Sequence, residues 1–135
     1  MPEGVGYGPQ NTASIGKTLN YLGNRCYAYS GEIDANDNET TLLEFTTPKG
    51  IIKALFQFNG ANVDAQECRY RIYFNGLRIQ SYAAGNNAPD YRGKPDNIIP
   101  LLIPPLTLVK CTAQNITDSV SLPDQMVTLT GKIYG

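Results

Sequence analysis

Residues 69–82 have the sequence RYRIYFNGLRIQSY, in which two alternating segments are joined by Asn75-Gly76. Both central residues of a two-residue type I′ turn need positive φ, and Asn followed by Gly tolerates this best. The segment therefore predicts a β-hairpin with Phe74 opposite Leu77.

The turn also fixes which side chains share a face of this hairpin. The predicted core-facing pairs are Phe74 with Leu77, Ile72 with Ile79, and Tyr70 with Ser81. The predicted polar pairs are Tyr73 with Arg78, Arg71 with Gln80, and Arg69 with Tyr82. One apolar and one polar face is the pattern of a half-buried antiparallel sheet, and a helix would scatter these residues around its axis.

The composition fits a single all-β domain. The chain has 135 residues, enough for one domain with its own core. Hydrophobic residues make up 41% and charged residues 17%, with 13 Gly, 9 Pro and 9 Tyr. This mixture is typical of many short strands joined by turns, and it argues against disorder and against a helical bundle.

The remaining alternating segments extend the hairpin to eight predicted strands without a helix. These strands are residues 25–33, 40–46, 51–58, 69–74, 77–82, 98–103, 106–113 and 126–134. Pro100 favours an edge strand, and Pro104-Pro105 suits a chain that passes from one sheet to another. We expect an eight-stranded antiparallel β-sandwich, jelly-roll-like, with an immunoglobulin-like sandwich as the alternative.

The first 24 residues differ from the rest of the chain. They contain five Gly and little periodicity, so residues 1–24 are predicted to be an extended N-terminal arm and residues 25–135 the β-sandwich domain. Such an arm would become ordered on a neighbouring subunit. Its candidate interface residues are Tyr7, Leu19, Tyr21 and Leu22.

The charge pattern predicts no nucleic-acid partner and no membrane partner. Eleven basic and twelve acidic residues give a net charge of −1, without a long run of either sign. No stretch approaches the ~20 apolar residues that cross a bilayer, and no signal peptide is recognisable, so we expect synthesis in a cytoplasm.

The sequence also predicts no enzyme and no cofactor. It contains no His, which removes the commonest general base and the commonest metal ligand. Cys26, Cys68 and Cys111 lie in strand-like segments and are expected to be reduced, apolar side chains, with one disulfide as the alternative. For residues 34–39, DANDNE, a calcium loop and an ordinary turn both remain open, although the match to a calcium loop is partial.

Two further segments are candidate contact surfaces. The polar face of the hairpin carries Arg71, Tyr73 and Arg78, residue types that are favoured where proteins meet. The alternative is a solvated sheet face with Arg stems over Tyr rings. The long loop of residues 83–97 carries Tyr91 and Arg92, and loops of this length are often functional.

Several short phrases are similar to one class of viral protein. They are SGEI at 30–33, ETTLLEF at 39–45, YFNG at 73–76, LIPPLT at 102–107 and LTGKIYG at 129–135. Together they resemble small virion structural proteins of tailed bacteriophages, of the capsid decoration (cement) or head-fibre kind. The resemblance covers about residues 30–135, and none of the phrases is a diagnostic motif.

The resemblance implies a non-enzymatic protein that binds the outer surface of a phage capsid and stabilises it, as a homotrimer. Its partners would be the major capsid protein of the same virus and further copies of itself. It would be located in the virion, on the capsid surface, after synthesis in the host cytoplasm. The alternative function is a receptor- or glycan-binding head module of a viral fibre or tail.

Overall fold

The computed structural model describes residues 18–60, 67–85, 98–117 and 121–135, and these residues form strands and connections without a helix. Their ten strands are β1 (Asn20–Leu22), β2 (Arg25–Tyr29), β3 (Ile33–Ala35), β4 (Thr40–Thr46), β5 (Ile51–Asn59), β6 (Glu67–Phe74), β7 (Leu77–Gly85), β8 (Ile98–Ile103), β9 (Leu108–Asn115) and β10 (Leu122–Tyr134). The all-β prediction is confirmed.

The strands form two antiparallel sheets that pack as a sandwich. The first sheet has the order β1-β2-β10-β5-β8, with β3 beside the start of β10, and the second has the order β4-β9-β6-β7. Apart from the β6–β7 hairpin, each connection from β3 onward carries the chain from one sheet to the other. This alternation of eight strands between two sheets is the jelly-roll arrangement that the sequence predicted.

The predicted first strand, 25–33, is divided in two. β2 ends at Tyr29 and pairs with residues 128–132 of β10, whereas β3 pairs with residues 122–125. Gly31, between them, has φ +77, which takes the chain out of the extended conformation. Together with β1, this division brings the strands among the described residues to ten, where eight were predicted.

The core lies between the sheets and is filled from alternate positions of each strand. In β5 the burial alternates, and Ile52, Ala54, Phe56 and Phe58 point inward. From the second sheet, Tyr70 stacks on Phe58 with ring centroids 4.7 Å apart. A core of this kind, contributed by both inner faces, is what holds a β-sandwich together.

The hairpin turn is confirmed, and its register changes after two pairs. Asn75 and Gly76 have φ of 52° and 83°, and Phe74 lies opposite Leu77, as Tyr73 does opposite Arg78. Leu77 is 69% exposed at the turn, so its placement on the core face was wrong. A bulge between Ile72 and Tyr73 then shifts the pairing by one residue, so Tyr70 faces Tyr82 and not Ser81. The placement of Tyr82 on the polar face was therefore wrong, since its ring stacks on Tyr70 with centroids 6.1 Å apart.

Both expectations from proline are confirmed. β8, which contains Pro100, is the edge strand of the first sheet, and Pro104-Pro105 lies between β8 and β9 in opposite sheets. Thr107 N donates to Thr47 Oγ1 at 2.8 Å across this corner. The following strand begins at Leu108 and not at residue 106, because Leu106 has φ 55°.

The sandwich begins earlier in the chain than residue 25. Leu19 is 4% exposed within the core, and β1 pairs antiparallel with β2. The last residues of the predicted arm are therefore part of the first sheet. Residues 1–17 lie outside the described residues.

Candidate functional site

The arm residues predicted as interface candidates separate into three groups. The side chain of Leu19 is buried, and that of Tyr21 packs against the core. Leu22 is 71% exposed at the edge of the first sheet. Tyr7, like the loop residues Tyr91 and Arg92, lies outside the described residues, so the structure assigns these three no position.

The polar face, by which we mean the outward face of the second sheet, is cross-linked by its own side chains. Tyr73 OH and Thr112 Oγ1 each donate to Glu39 Oε2 at 2.5 Å. Arg71 Nη1 donates to Gln114 Oε1 at 2.7 Å and lies 3.8 Å from Glu39 Oε1. Arg71 and Tyr73 are thus engaged within the chain, whereas Arg78 is exposed at the hairpin end.

This network also affects the ionisation of Glu39. Burial by itself would raise the pKa of this carboxyl, but the hydrogen bonds from Thr112 and Tyr73 and the charges of Arg71 and Lys110 outweigh burial. The pKa of Glu39 is therefore lower than usual, and the carboxylate stays charged at neutral pH. The network joins Glu39, directly before β4, to β6 and β9, and it engages Arg71 and Tyr73 within the chain.

The outward-facing side of the first sheet, called the outer face below, has a different character. Its large apolar side chains are exposed to solvent, and Leu55 and Leu102 are 47% and 64% exposed. The other exposed apolar side chains on the outer face are Leu22, Tyr27, Tyr29, Ile51, Ile98 and Tyr134. An apolar sheet face of this extent is typical of a surface that becomes buried against protein.

The registers of the strands arrange the outer face in transverse rows. Arg25 pairs with Lys132, which pairs with Lys53, so three cations are adjacent across three strands. We call these residues the basic row. The next row places Tyr27, Thr130, Leu55 and Pro100 side by side, and the one after it Tyr29, Thr128, Gln57 and Ile98.

The basic row has no counter-charge in its own strands. β1, β2, β5, β8 and residues 126–134 of β10 contain no Asp or Glu. Lys132 Nζ lies 5.3 Å from the ring centroid of Tyr134. A shallow depression of about 130 Å³ lies between Arg25 and Lys53, with Tyr27 and Leu55 at its sides.

Two carboxylates occupy the opposite end of the outer face. Asp34 in β3 and Asp124 in β10 are exposed, and each precedes a residue whose side chain is buried, namely Ala35 and Gln125. Asp124 N donates to Asp34 Oδ1 at 3.3 Å, which holds the two residues together. This pair, called the acidic end, lies eight residues along β10 from Lys132.

The three cysteines lie in the core. Burial raises the pKa of Cys26 and of Cys68 to about 11, and it raises the pKa of Cys111 further. All three thiols are free and buried in the described structure. A thiol that stays protonated at neutral pH behaves as a small apolar side chain and not as a nucleophile.

The segment DANDNE forms a hydrogen-bonded turn. Asn38 N donates to Asn36 Oδ1 at 2.9 Å, and Asn115 N donates to Asn36 O at 2.7 Å. Within the described ranges, no group of three or more His, Cys, Asp or Glu side chains is placed to hold a metal ion. In the same part of the chain, no helix has the length and apolarity to cross a membrane.

Sequence reasoning missed the outer face as a site. The alternation of β5 indicated only that Lys53 and Gln57 point away from the core, and it left Leu55 on that side unexplained. The available signal was the complete lack of Asp and Glu in strands that pair with one another. That pairing is set by the fold, so the signal appears only once the strand order is known.

Comparisons with known proteins give a structural likeness and no match in sequence. No protein-family model matches the chain. No curated protein matches it in sequence. Among solved structures, the chain is similar to the crystal structure of the infectious bursal disease virus VP2 subviral particle, with a TM-score of 0.45 and 14% sequence identity. The match covers 84% of this chain and 34% of that chain, so this chain spans about a third of the length of that VP2 chain.

Proposed function

We propose that the protein is a non-enzymatic structural protein of a virion, which binds the outer surface of a phage capsid as a decoration or cement protein. The observation that carries this proposal is the outer face. It exposes eight large apolar side chains beside a row of three cations, whereas Arg71 and Tyr73 on the polar face are hydrogen-bonded within the chain. A protein that works by assembly needs such a face, and a monomer in water does not.

The finer parts of the proposal rest on the resemblance to phage decoration and head-fibre proteins. They are a homotrimer, the major capsid protein of the same virus as partner, and a location on the capsid surface of the virion. Residues 1–17 would provide an anchor on a neighbouring subunit. The alternative of a receptor- or glycan-binding head gains no support from Arg71 and Tyr73, because both side chains are bonded within the chain.

The test is co-sedimentation of the purified protein with capsid shells that lack it. We expect saturable binding, and shells that resist a higher temperature once coated. Leu55→Glu places a charge in the apolar part of the outer face and should weaken binding at least tenfold, whereas Arg78→Glu on the other sheet should not. Shells that bind no protein, or that bind both variants equally well, would overturn the proposal.

A truncated chain tests the arm separately. Because the side chain of Leu19 is buried and β1 belongs to the first sheet, a deletion limited to residues 1–17 shortens the predicted arm and keeps every described strand. Loss of shell binding with an unchanged unfolding temperature would support anchorage by the arm. Full binding by the truncated chain would contradict it.

A further inference from the structure

We propose that two copies of this chain pair through the outer face, with the β10 strands antiparallel across a two-fold axis. The basic row of each copy then lies over the acidic end of the other. This inference rests on the proposed function only in taking the outer face as a protein-binding surface. It adds what covers that surface in the free protein, which is a second copy of the chain that a shell would displace.

The first argument is the distribution of charge. Like charges directly opposite each other in a sheet are destabilising, and the basic row places Arg25, Lys132 and Lys53 side by side. Among the described residues, none forms an ion pair with any of the three. The chain therefore keeps an unfavourable row of cations that an acidic partner surface would neutralise.

The second argument is that the acidic partner surface exists on the same face. The acidic end, Asp34 with Asp124, lies eight residues along β10 from the basic row. Residues 125–132 are extended over about 23 Å at about 3.3 Å per residue, and Asp124 precedes them at a bulge, with φ 57°. A two-fold axis at Thr128, midway between residues 124 and 132, would place each end over its complement. The contact is then isologous and closed, as most homodimer contacts are.

The third argument is the surface between the charged ends. The axis would pass through the row that contains Tyr29 and Ile98, which are 43% and 46% exposed. The 36 residues of β1, β2, β5, β8 and β10, at about 3.3 Å per residue and about 4.8 Å between strands, cover roughly 570 Å² in projection, and protruding side chains add to this area. A standard interface buries about 800 Å² per partner, so the outer face suits a weak dimer that depends on protein concentration.

The symmetry distinguishes this contact from the contacts of a trimer. The basic row and the acidic end lie on one flat face of each copy. They can contact their complements only when two such faces pack against each other, which a two-fold axis allows and a three-fold axis does not. A homotrimer would therefore be held by other surfaces. In the protein free of shells, pairing through the outer face would then join copies that belong to different trimers.

The experiment measures the mass of the full chain by light scattering, without shells, over a range of protein and salt concentrations. The basic-row variant is Arg25→Glu with Lys53→Glu. The acidic-end variant is Asp34→Lys with Asp124→Asn, the latter chosen because residue 124 has φ 57° and Asn tolerates that conformation. Lys49→Glu with Arg78→Glu changes the net charge as the basic-row variant does, but on exposed residues outside the outer face.

We expect the wild type and the control variant to form dimers, or even-numbered assemblies, that dissociate as salt is added. Each of the two outer-face variants alone should associate at least tenfold more weakly. An equimolar mixture of the two should recover association, because each reversed end then faces an opposite charge. Recovery also shows that both variants are folded.

Three results would overturn the pairing. They are a wild-type monomer at every concentration, association that both outer-face variants leave unchanged, and a mixture that does not recover. Because no shell is present, these results are independent of shell binding. A protein that pairs but binds no shell would refute the proposed function alone, and one that binds shells but never pairs would refute this inference alone.

Discussion

The buried hydrogen bond between the two sheets gives the sharpest test of the core. Tyr70 OH on β6 donates to Gln125 Oε1 on β10 at 2.6 Å, and the two residues are 3% and 0% exposed. Burial, with the neighbouring Cys68 as a smaller cause, raises the pKa of Tyr70, so the hydroxyl stays protonated and can donate. Tyr70→Phe removes only this hydroxyl and keeps the ring that stacks on Phe58.

The loss of stability expected for Tyr70→Phe is estimated from the buried hydrogen bond that it removes. A typical hydrogen bond contributes about 1 kcal/mol net, and taking the partner away from a buried polar atom costs about 1–3 kcal/mol. We therefore expect a loss of about 2 kcal/mol in the free energy of unfolding. With a urea m-value of about 2 kcal/mol/M, the unfolding midpoint should fall by about 1 M.

A control and a double-mutant cycle make this measurement specific. Tyr27→Phe removes a hydroxyl from a residue that is 42% exposed, and it should change stability by less than about 0.5 kcal/mol. Combining Tyr70→Phe with Gln125→Met removes both partners, so the double variant should be more stable than the sum of the single changes predicts, by about 1 kcal/mol or more. Equal midpoints for Tyr70→Phe and Tyr27→Phe, or additive changes in the cycle, would refute the reasoning.

Three further predictions concern the core, the polar face and the thiols. Ile72→Ala should cost about 2–5 kcal/mol in urea unfolding because Ile72 is fully buried, and a cost below about 1 kcal/mol would contradict its placement. Since the folded pKa of Glu39 is lowered, its carboxylate stabilises the fold at neutral pH, and this contribution is lost as the pH falls through the folded pKa. The stability difference between wild type and Glu39→Gln should therefore shrink in acid, and a difference independent of pH would exclude this role. A thiol reagent at pH 8 should modify no cysteine in the native protein and all three after unfolding, these being Cys26, Cys68 and Cys111.

Local chemistry explains what could be predicted about the fold. The Asn75-Gly76 turn, the alternation of β5 and the corner at Pro104-Pro105 each follow from the conformational limits of a few adjacent residues. The all-β class and the jelly-roll arrangement were predicted from the number and spacing of such segments. The bulge at Ile79, between the Tyr73–Arg78 and Ile72–Gln80 pairs, was not predicted, because no Gly or other turn residue marks it in the sequence.

The groupings of residues in the candidate site were even less predictable from local sequence than the fold was. Arg71 and Tyr73 were predicted as contact residues from their side-chain types, yet Glu39, which engages both, is more than thirty residues away in the sequence. The basic row joins Arg25, Lys53 and Lys132 from three separate strands. Neither grouping is visible as a motif.

The sequence alone determined most of the strand segments, the main turns and the all-β sandwich class. It also led us to expect reduced cysteines with apolar surroundings. These properties depend on alternation and on the φ preferences of Gly, Asn and Pro. Only the tertiary structure decided that Leu19 belongs to the core, that Tyr82 stacks on Tyr70, and that one face of the first sheet is apolar with charges separated at its ends. The reason is that strand order and register bring together residues from distant parts of the chain, and surfaces are made of those neighbours.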